Sequence, residues 1–300
     1  MSRKHDKDFF YKYMTVDTAK SILRTCSLRW SSPILFNDPF DNQVRYLLPF
    51  SQDEFVPKYK EAIKRIIFGE EAVILNSLTP LGILFSLMRS ERENLTKEEI
   101  IAELRGSIEK TAERLQMFED KFNQLICQQL EKTRVLCVSE HNDNVVMWSH
   151  YADEHRGVVM RLQCIDELEN NLLIARKMQY QNKYPTIAKL DDFIKLSTGE
   201  ININYYEKNI MEIAYIKYES WAYEDEWRVV TIEDPKENKN LYNDYKKYPQ
   251  VFGAMYFGCR ISKSDKDEII DMLSGDLVHV EIFQAKKKAQ EFGLQFERIR

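Results

Sequence analysis

The chain has 300 residues, 44% hydrophobic and 30% charged, with only 9 glycines and 8 prolines, a composition that excludes collagen, low-complexity linkers and glycine-rich phosphate cradles. That length allows two domains or one large elaborated domain, and enough buried surface to fold without disulfides. The 43 basic and 48 acidic residues leave a formal net charge of −5, which excludes a strongly basic nucleic-acid binder and confines any phosphate contact to a local patch.

Phe9–Met14 reads as an aromatic strand, and Thr15 and Asp17 offer N-caps for a short helix with Ala19, Ile22 and Leu23 on its apolar side. Ser27–Trp30 reads as a second strand, followed by a turn-rich stretch, Ser31-Ser32-Pro33 and Asn37-Asp38-Pro39-Phe40-Asp41. From 53 to 133 the pattern is helical. Thr96 and Glu99 form a capping box, and Ile101, Leu104, Ile108, Leu115, Phe118, Phe122, Leu125 and Leu130 make a stripe predicting one long helix, which Gly106 bends or splits. Strand patterns resume at Arg134–Ser139, Gly157–Leu162, Met211–Lys217, Glu226–Ile232 and Val251–Phe257. A helix over Ser262–Leu273 and strands at Val278–Gln284 and Leu294–Ile299 close the chain. About eight short strands without regular alternation with helices indicate an α+β fold with an α-helical insertion at 53–133.

The five cysteines are scattered, odd in number and never spaced as CxxC, which argues against a disulfide framework or zinc site and for a reducing compartment. The opening MSRKHDKDFFYKYM has no apolar leader core, and no run approaches the ~18 apolar residues of a membrane helix. A cytoplasmic protein with no membrane contact is expected.

Four segments are denser in polar and aromatic residues than a core requires: Tyr11-Lys12-Tyr13, Phe36 to Asp41, Ser139 to Gly157, and Trp221 to Arg228. His150 and His155, five apart, fall on different helix faces, and the HExxH pattern is absent. Asp38, Asp41, Glu224 and Glu226 offer oxygen ligands for a magnesium-dependent nuclease. No GxSxG elbow is present, and Cys137 reads as core. Lys286-Lys287-Lys288, Arg298 and Arg300 read as a solvated face rather than a phosphate site. The sharpest signal is Glu224 with Glu226. Two apart at the mouth of a strand, they would share a face, where each disturbs the other's ionisation. Trp221, Tyr223 and Trp227 flank them as stacking surfaces; the bland alternative is a surface strand end paired to Arg228.

Three stretches, YKYM…AKSIL…LRWSSPILFNDPFD, VSEHNDNVVMWSHYADEHRGVVMRL and ESWAYEDEWRVV, resemble the bacterial family of the domain of unknown function twenty-nine seventy-one. They span most of the chain apart from the helical block. The order of motifs is also similar to ADP-ribosyltransferases, including the poly-ADP-ribose polymerases and the DarT toxins. Those have an aromatic or His residue on a first strand before a short helix, a mid-chain Ser/Tyr motif, and a catalytic Glu opening a late strand written like NEYIVY. Here Tyr11 and Tyr13 precede the short helix, Ser139 and Tyr151 occupy the middle, and Glu226-Trp227-Arg228-Val229-Val230 matches the late strand. The chain departs from the pattern in having Tyr where many members have His or Arg.

This second resemblance implies a single catalytic domain over 1–300 with a split β-sandwich core, using NAD as co-substrate and no metal. It implies an intracellular toxin of phage defence or a toxin–antitoxin system, whose acceptor is a nucleic-acid base, RNA slightly preferred, or a protein side chain. Glu226 would stabilise the oxocarbenium-like ribose and Glu224 would orient or deprotonate the acceptor. Tyr11, Tyr13, Ser139, Trp148 and Tyr151 are the candidate NAD contacts; Asn37 and Asp38 are candidates for ribose or acceptor. Trp148 after Val145, Val146 and Met147 reads more readily as core, and Asn37-Asp38-Pro39 equally well as a rigid turn. The other expectations are the nuclease and a non-catalytic protein whose helical block docks an antitoxin or chaperone.

Overall fold

Strand β1 (Phe9–Met14) sorts its side chains by alternation. Phe10 and Met14 enter one apolar cluster, and Tyr11 and Tyr13 enter another on the opposite face. The computed structural model describes residues 2–43, 45–70, 73–75, 80–94, 96–168, 170–186, 188–201, 211–233 and 240–300. Helix α1 (Val16–Thr25) starts where Thr15 accepts the Thr18 N–H, as its cap residue predicts, and buries Ala19, Ile22 and Leu23. It leads into β2 (Ser27–Ser31).

The α+β character expected from the sequence holds, around a mixed sheet. Its further strands are β3 (Thr133–Ser139), β4 (Val158–Gln163), β5 (Arg176–Lys177), β8 (Glu226–Ile232), β9 (Tyr242–Lys246), β10 (Phe252–Phe257), β11 (Glu281–Lys287) and β12 (Leu294–Arg298). The path runs β12-β11-β10-β4-β1-β3-β2-β9, with β8 on β3 and β5 on β8. Neighbours are antiparallel except β10 and β11. A separate parallel pair joins β6 (Gln179–Gln181) to β7 (Ile216–Tyr218).

The sheet forks at β3. One edge of β3 is taken along its whole length by β8, from Thr133↔Ile232 to Ser139↔Glu226. The other edge is shared by two strands, β1 at Tyr11↔Ser139 and β2 at Ser31↔Val135. Between them Lys12 Nζ donates to the Cys137 carbonyl at 3.1 Å, so a side-chain ammonium serves a group that a strand N–H would otherwise reach. On one face, α1 and α9 (Lys263–Met272) bury Ile22, Leu23 and Ile269 against Phe10, Leu28 and Met160. On the other, α7 (Val145–His150) carries Met147 and Trp148 to Tyr13, Val159 and Tyr256. Each such fully buried large apolar side chain stabilises by about 1.5–3 kcal/mol.

The chain divides into two compact units, Met1–Gln43 with Leu130–Asn182 and Tyr215–Arg300, and Val44–Gln129 with Lys183–Ala214. The first holds the sheet. The second is helical, so the helical block expected over 53–133 gains a later segment. It contains α2 (Gln52–Phe68), opened by a Ser51/Glu54 capping box, α3 (Pro80–Ser90), α4 (Lys97–Glu103), α5 (Arg105–Glu113), most of α6 (Leu115–Lys132) and α8 (Leu190–Thr198). Phe193 of α8 packs edge-on against Phe55 and Phe118 at 5.6 and 4.6 Å.

The single long helix expected from Thr96 onward is three, broken at Leu104 and Arg114, where ψ is −3° and 0°. The gap in the apolar stripe between Ile108 and Leu115 foreshadows the second break; the first falls two residues before Gly106. Met211–Lys217, read as a strand, is helical over 211–213 and extended only from Ile216. A short apolar run fits both periods, so the pattern did not decide it.

Candidate functional site

Glu226 is the first residue of β8, and the turn before it shapes the site. Glu219–Glu224 form a short 3-10 helix, and Asp225 turns the chain with φ of 41°, a left-handed conformation that Asp tolerates better than most residues. The two glutamates therefore converge through a turn, not through the pleat of a common strand as their spacing had suggested. Ser139 stabilises this turn from β3: its hydroxyl donates to the Glu224 carbonyl at 2.7 Å and accepts the His141 N–H at 3.2 Å. Asn144, the cap of α7, donates to the Tyr223 carbonyl at 2.5 Å.

Both carboxylates are buried, with 3% and 4% of Glu224 and Glu226 exposed, so their charges need partners within the protein. Lys217 Nζ lies 2.5 Å from Glu224 Oε2, 2.9 Å from Glu226 Oε2 and 3.9 Å from Asp41 Oδ2. Arg228, on the same face two residues beyond Glu226, donates Nε to Glu226 Oε1 at 2.6 Å. Its other nitrogens hold Asp41, Nη1 to Oδ1 at 3.0 Å and Nη2 to Oδ2 at 2.5 Å. Tyr151 donates its hydroxyl to Glu224 Oε1 at 2.6 Å, and the Glu226 N–H donates to Tyr180 Oη at 2.8 Å. The Lys217 ammonium lies 5.0 Å from the Trp221 ring and the Arg228 guanidinium 5.1 Å from that of Phe36.

The two glutamates diverge in ionisation. Burial works to raise Glu226, but the charges of Arg228 and Lys217 outweigh it and hold the carboxyl well below its ordinary range. Glu224 is raised, by burial first and by the neighbouring Glu226 charge, against the opposing pull of Lys217. Burial alone would lower Lys217 and Arg228; the surrounding carboxylates raise both instead. Glu226 is thus the permanent anion and Glu224 the group that first takes a proton. Burial raises the hydroxyls of Tyr11, Tyr13 and Tyr151, and lowers the ammonium of Lys12.

A cavity of about 190 Å3 opens over this cluster, lined by Tyr11, Lys12, Tyr13, Phe36, Asn37, Asp41, Cys137, Val138, Ser139, Met147, Tyr151, Lys217, Glu224, Glu226 and Arg228. Of the residues picked from the sequence, Glu224, Glu226, Tyr11, Tyr13, Ser139, Tyr151 and Asn37 meet there. Tyr11, Ser139 and Glu226 form a row in register across β1, β3 and β8. Two residues are corrected. Trp148 is fully buried, donates its indole N–H to the Asn142 carbonyl at 2.7 Å and packs edge-on against Tyr13, so it has no surface to offer a ligand. Asp38 does not line the cavity; its carboxylate accepts the Phe40 N–H at 2.9 Å, the rigid turn that its sequence also suggested. The acidic pair is neither a surface strand end nor free of Arg228: it is buried and paired.

Sequence reasoning missed Lys217 and gave Asp41 and Arg228 other roles. The Lys217 ammonium closing the run MEIAYIK was the available signal, because a charge that follows apolar residues into the interior needs a buried counter-charge. Asp41, Glu224 and Glu226 meet around an ammonium and a guanidinium, and among the described residues no group of three or more His, Cys, Asp or Glu is placed to hold a metal ion. Also among these residues, no helix is long and apolar enough to cross a membrane.

With the cluster in place, the stretch from α7 to β8 can be compared with known families. Residues 147–229 match the model of a family described as protein of unknown function (DUF2971). The family resemblance carried by the sequence motifs is shown over that stretch, which holds Tyr151, Lys217, Glu224, Glu226 and Arg228. No curated protein and no solved structure matches the chain.

Proposed function

We propose that the chain is an NAD-dependent ADP-ribosyltransferase with an ADP-ribosyltransferase-like split sandwich, acting as a cytoplasmic toxin in phage defence or a toxin–antitoxin system. The observation that carries this reading is the row Tyr11, Ser139 and Glu226 on three adjacent strands at the wall of one cavity. These are the three positions at which the motif order resembles the transferases. The fork at β3 supports it too, since it opens the sheet beside that row.

The chemistry asks for a fixed anion beside a cationic sugar. When the bond from ribose to nicotinamide breaks, its electron pair leaves with the ring, and the positive charge left on the ribose is stabilised by a preorganised carboxylate. Glu226, anionic and held from two sides, supplies that charge. Glu224, whose carboxyl burial and the Glu226 charge make more basic, suits the removal of a proton from the attacking acceptor. Tyr11, Tyr13 and Tyr151 offer ring faces or edges to the nicotinamide. A cavity of about 190 Å3 is smaller than the roughly 300–1,000 Å3 of typical ligand pockets, so it receives the nicotinamide end while the rest of the dinucleotide lies outside. The acceptor is proposed to be a nucleic-acid base, RNA before DNA, or a protein side chain. The helices of 53–133 are the proposed platform for an antitoxin or chaperone.

Nicotinamide release from NAD, comparing wild type with Glu226→Gln in the presence and absence of chelator and of RNA, tests the reading. Chelator-insensitive release that the variant lowers by at least about a hundredfold is expected, the scale of losing a preorganised electrostatic partner. Equal release by the variant, or release that the chelator abolishes, overturns it.

A further inference from the structure

We infer that Lys217 is a positioning residue: its ammonium, shared between Glu224 and Glu226, fixes both carboxylates at the cavity wall and allows two acidic groups to work side by side. This rests on the transferase reading for what the carboxylates do, but not for how they are held. Lys217 is the middle residue of the three-residue strand β7, paired in register with Tyr180 of β6, so a backbone ladder outside the main sheet aims it. Its side chain is 7% exposed and touches one oxygen of each glutamate. An ammonium has three donors on a flexible stem, and as a compact charge it can face two carboxylates at once.

The other groups around the pair do not substitute for it. Arg228, from β8 itself, is engaged by Glu226 and Asp41. Asp41, from the loop after β2, adds a third negative charge. Tyr151, beyond α7, gives Glu224 a neutral hydroxyl, and Tyr180 accepts from the Glu226 backbone. Cys137 of β3 is neutral, its thiol pushed up by burial and by Glu226. Lys12 of β1 donates to the Cys137 carbonyl. Without Lys217, three carboxylates would face one guanidinium. A proton would then be shared between the glutamates at higher pH, as in other close carboxylate pairs.

The pH dependence of nicotinamide release by wild type, Lys217→Met and Lys217→Arg reads this directly. In the Met variant the acidic limb is expected to move up by about one pH unit or more. That is about a tenfold loss of kcat on the limb, and KM for NAD should change less. The Arg variant, which keeps the charge, should leave the limb near its wild-type position. A folded Met variant with the wild-type limb overturns the inference, as does an Arg variant shifted as far as Met.

If wild type releases no nicotinamide, the transferase reading fails and the role of Lys217 is read from melting. Between pH 6 and 3 the wild-type melting temperature should fall more steeply than that of Lys217→Met; equal slopes overturn the inference. Should the Met variant not fold, the same comparison is made between Glu224→Gln and the double variant Glu224→Gln/Lys217→Met, in which one buried carboxylate has been removed.

Discussion

A guanidinium with 1% of its side chain exposed and two carboxylates against it shows how much a single residue carries here. Arg228→Met removes the guanidinium that binds both Asp41 and Glu226 and is expected to cost about 3–5 kcal/mol in urea unfolding at pH 7, the scale for breaking a buried ion pair. Glu140 makes a milder case. It accepts from Lys7 and Lys177 and from the Trp227 indole, and despite its burial these donors hold its carboxyl at about 2. A depressed folded value stabilises the protein above the unfolded value near 4.3, and that stability is lost as pH falls toward 2. Glu140→Gln should therefore be about 2 kcal/mol less stable than wild type at pH 7 and close to it at pH 2. Unfolding curves at the two pH values check this, and an equal gap at both would refute it.

Elements differ in how plainly the sequence announced them. β1, α1 and β8 were legible because alternation, a cap residue or an apolar run coincided with the observed bounds. β9 was not, since Tyr242–Lys246 is polar and is held as an edge by β2, through the Arg29–Asp244 ion pair and the Trp30–Tyr245 ring contact. The Thr96/Glu99 capping box was legible and its geometry is present, so Thr96→Ala should cost about 1 kcal/mol; a melt unchanged by the substitution would contradict this. The turn between α7 and β4 could not be read at all. Asp153, Glu154 and His155 all have positive φ, at 46°, 52° and 67°. Gly258 fits this turn because a Cβ there would stand 2.1 Å from the His155 carbonyl oxygen. Gly258→Ala should lower stability by at least about 1–3 kcal/mol, the scale of overpacking, measured by thermal or urea unfolding. The acidic pair of the site was legible as a pair. Its partners Lys217 and Asp41, a counter-ion and a third carboxylate, were not, because they come from segments whose approach only the folded chain determines.

At the scale of the molecule, the formal charge of −5 limits how a nucleic acid can be held. Arg260, Lys287 and Lys288 line a cleft of about 680 Å3 beside the β11–β12 turn, with Glu291 opposing them. If RNA is the acceptor and this cleft holds it, binding should weaken with salt at a log–log slope no steeper than about −3, one unit for each cation. A much steeper slope in a salt titration would place the contact elsewhere.

The fork at β3 also has a consequence for synthesis. Seven residues of β3 are made early, while β8, which covers one whole edge, ends nearly a hundred residues later. At ordinary elongation rates of about 5–20 residues per second, that edge waits roughly 5–20 s for its partner on the ribosome. A chain that stops before Lys217 lacks Glu226 and its counter-ions and leaves the β3 edge unpaired, a template for association with other chains. Messages truncated there are expected to yield aggregates without the buried acidic cluster, so incomplete copies would lack the candidate site from the outset.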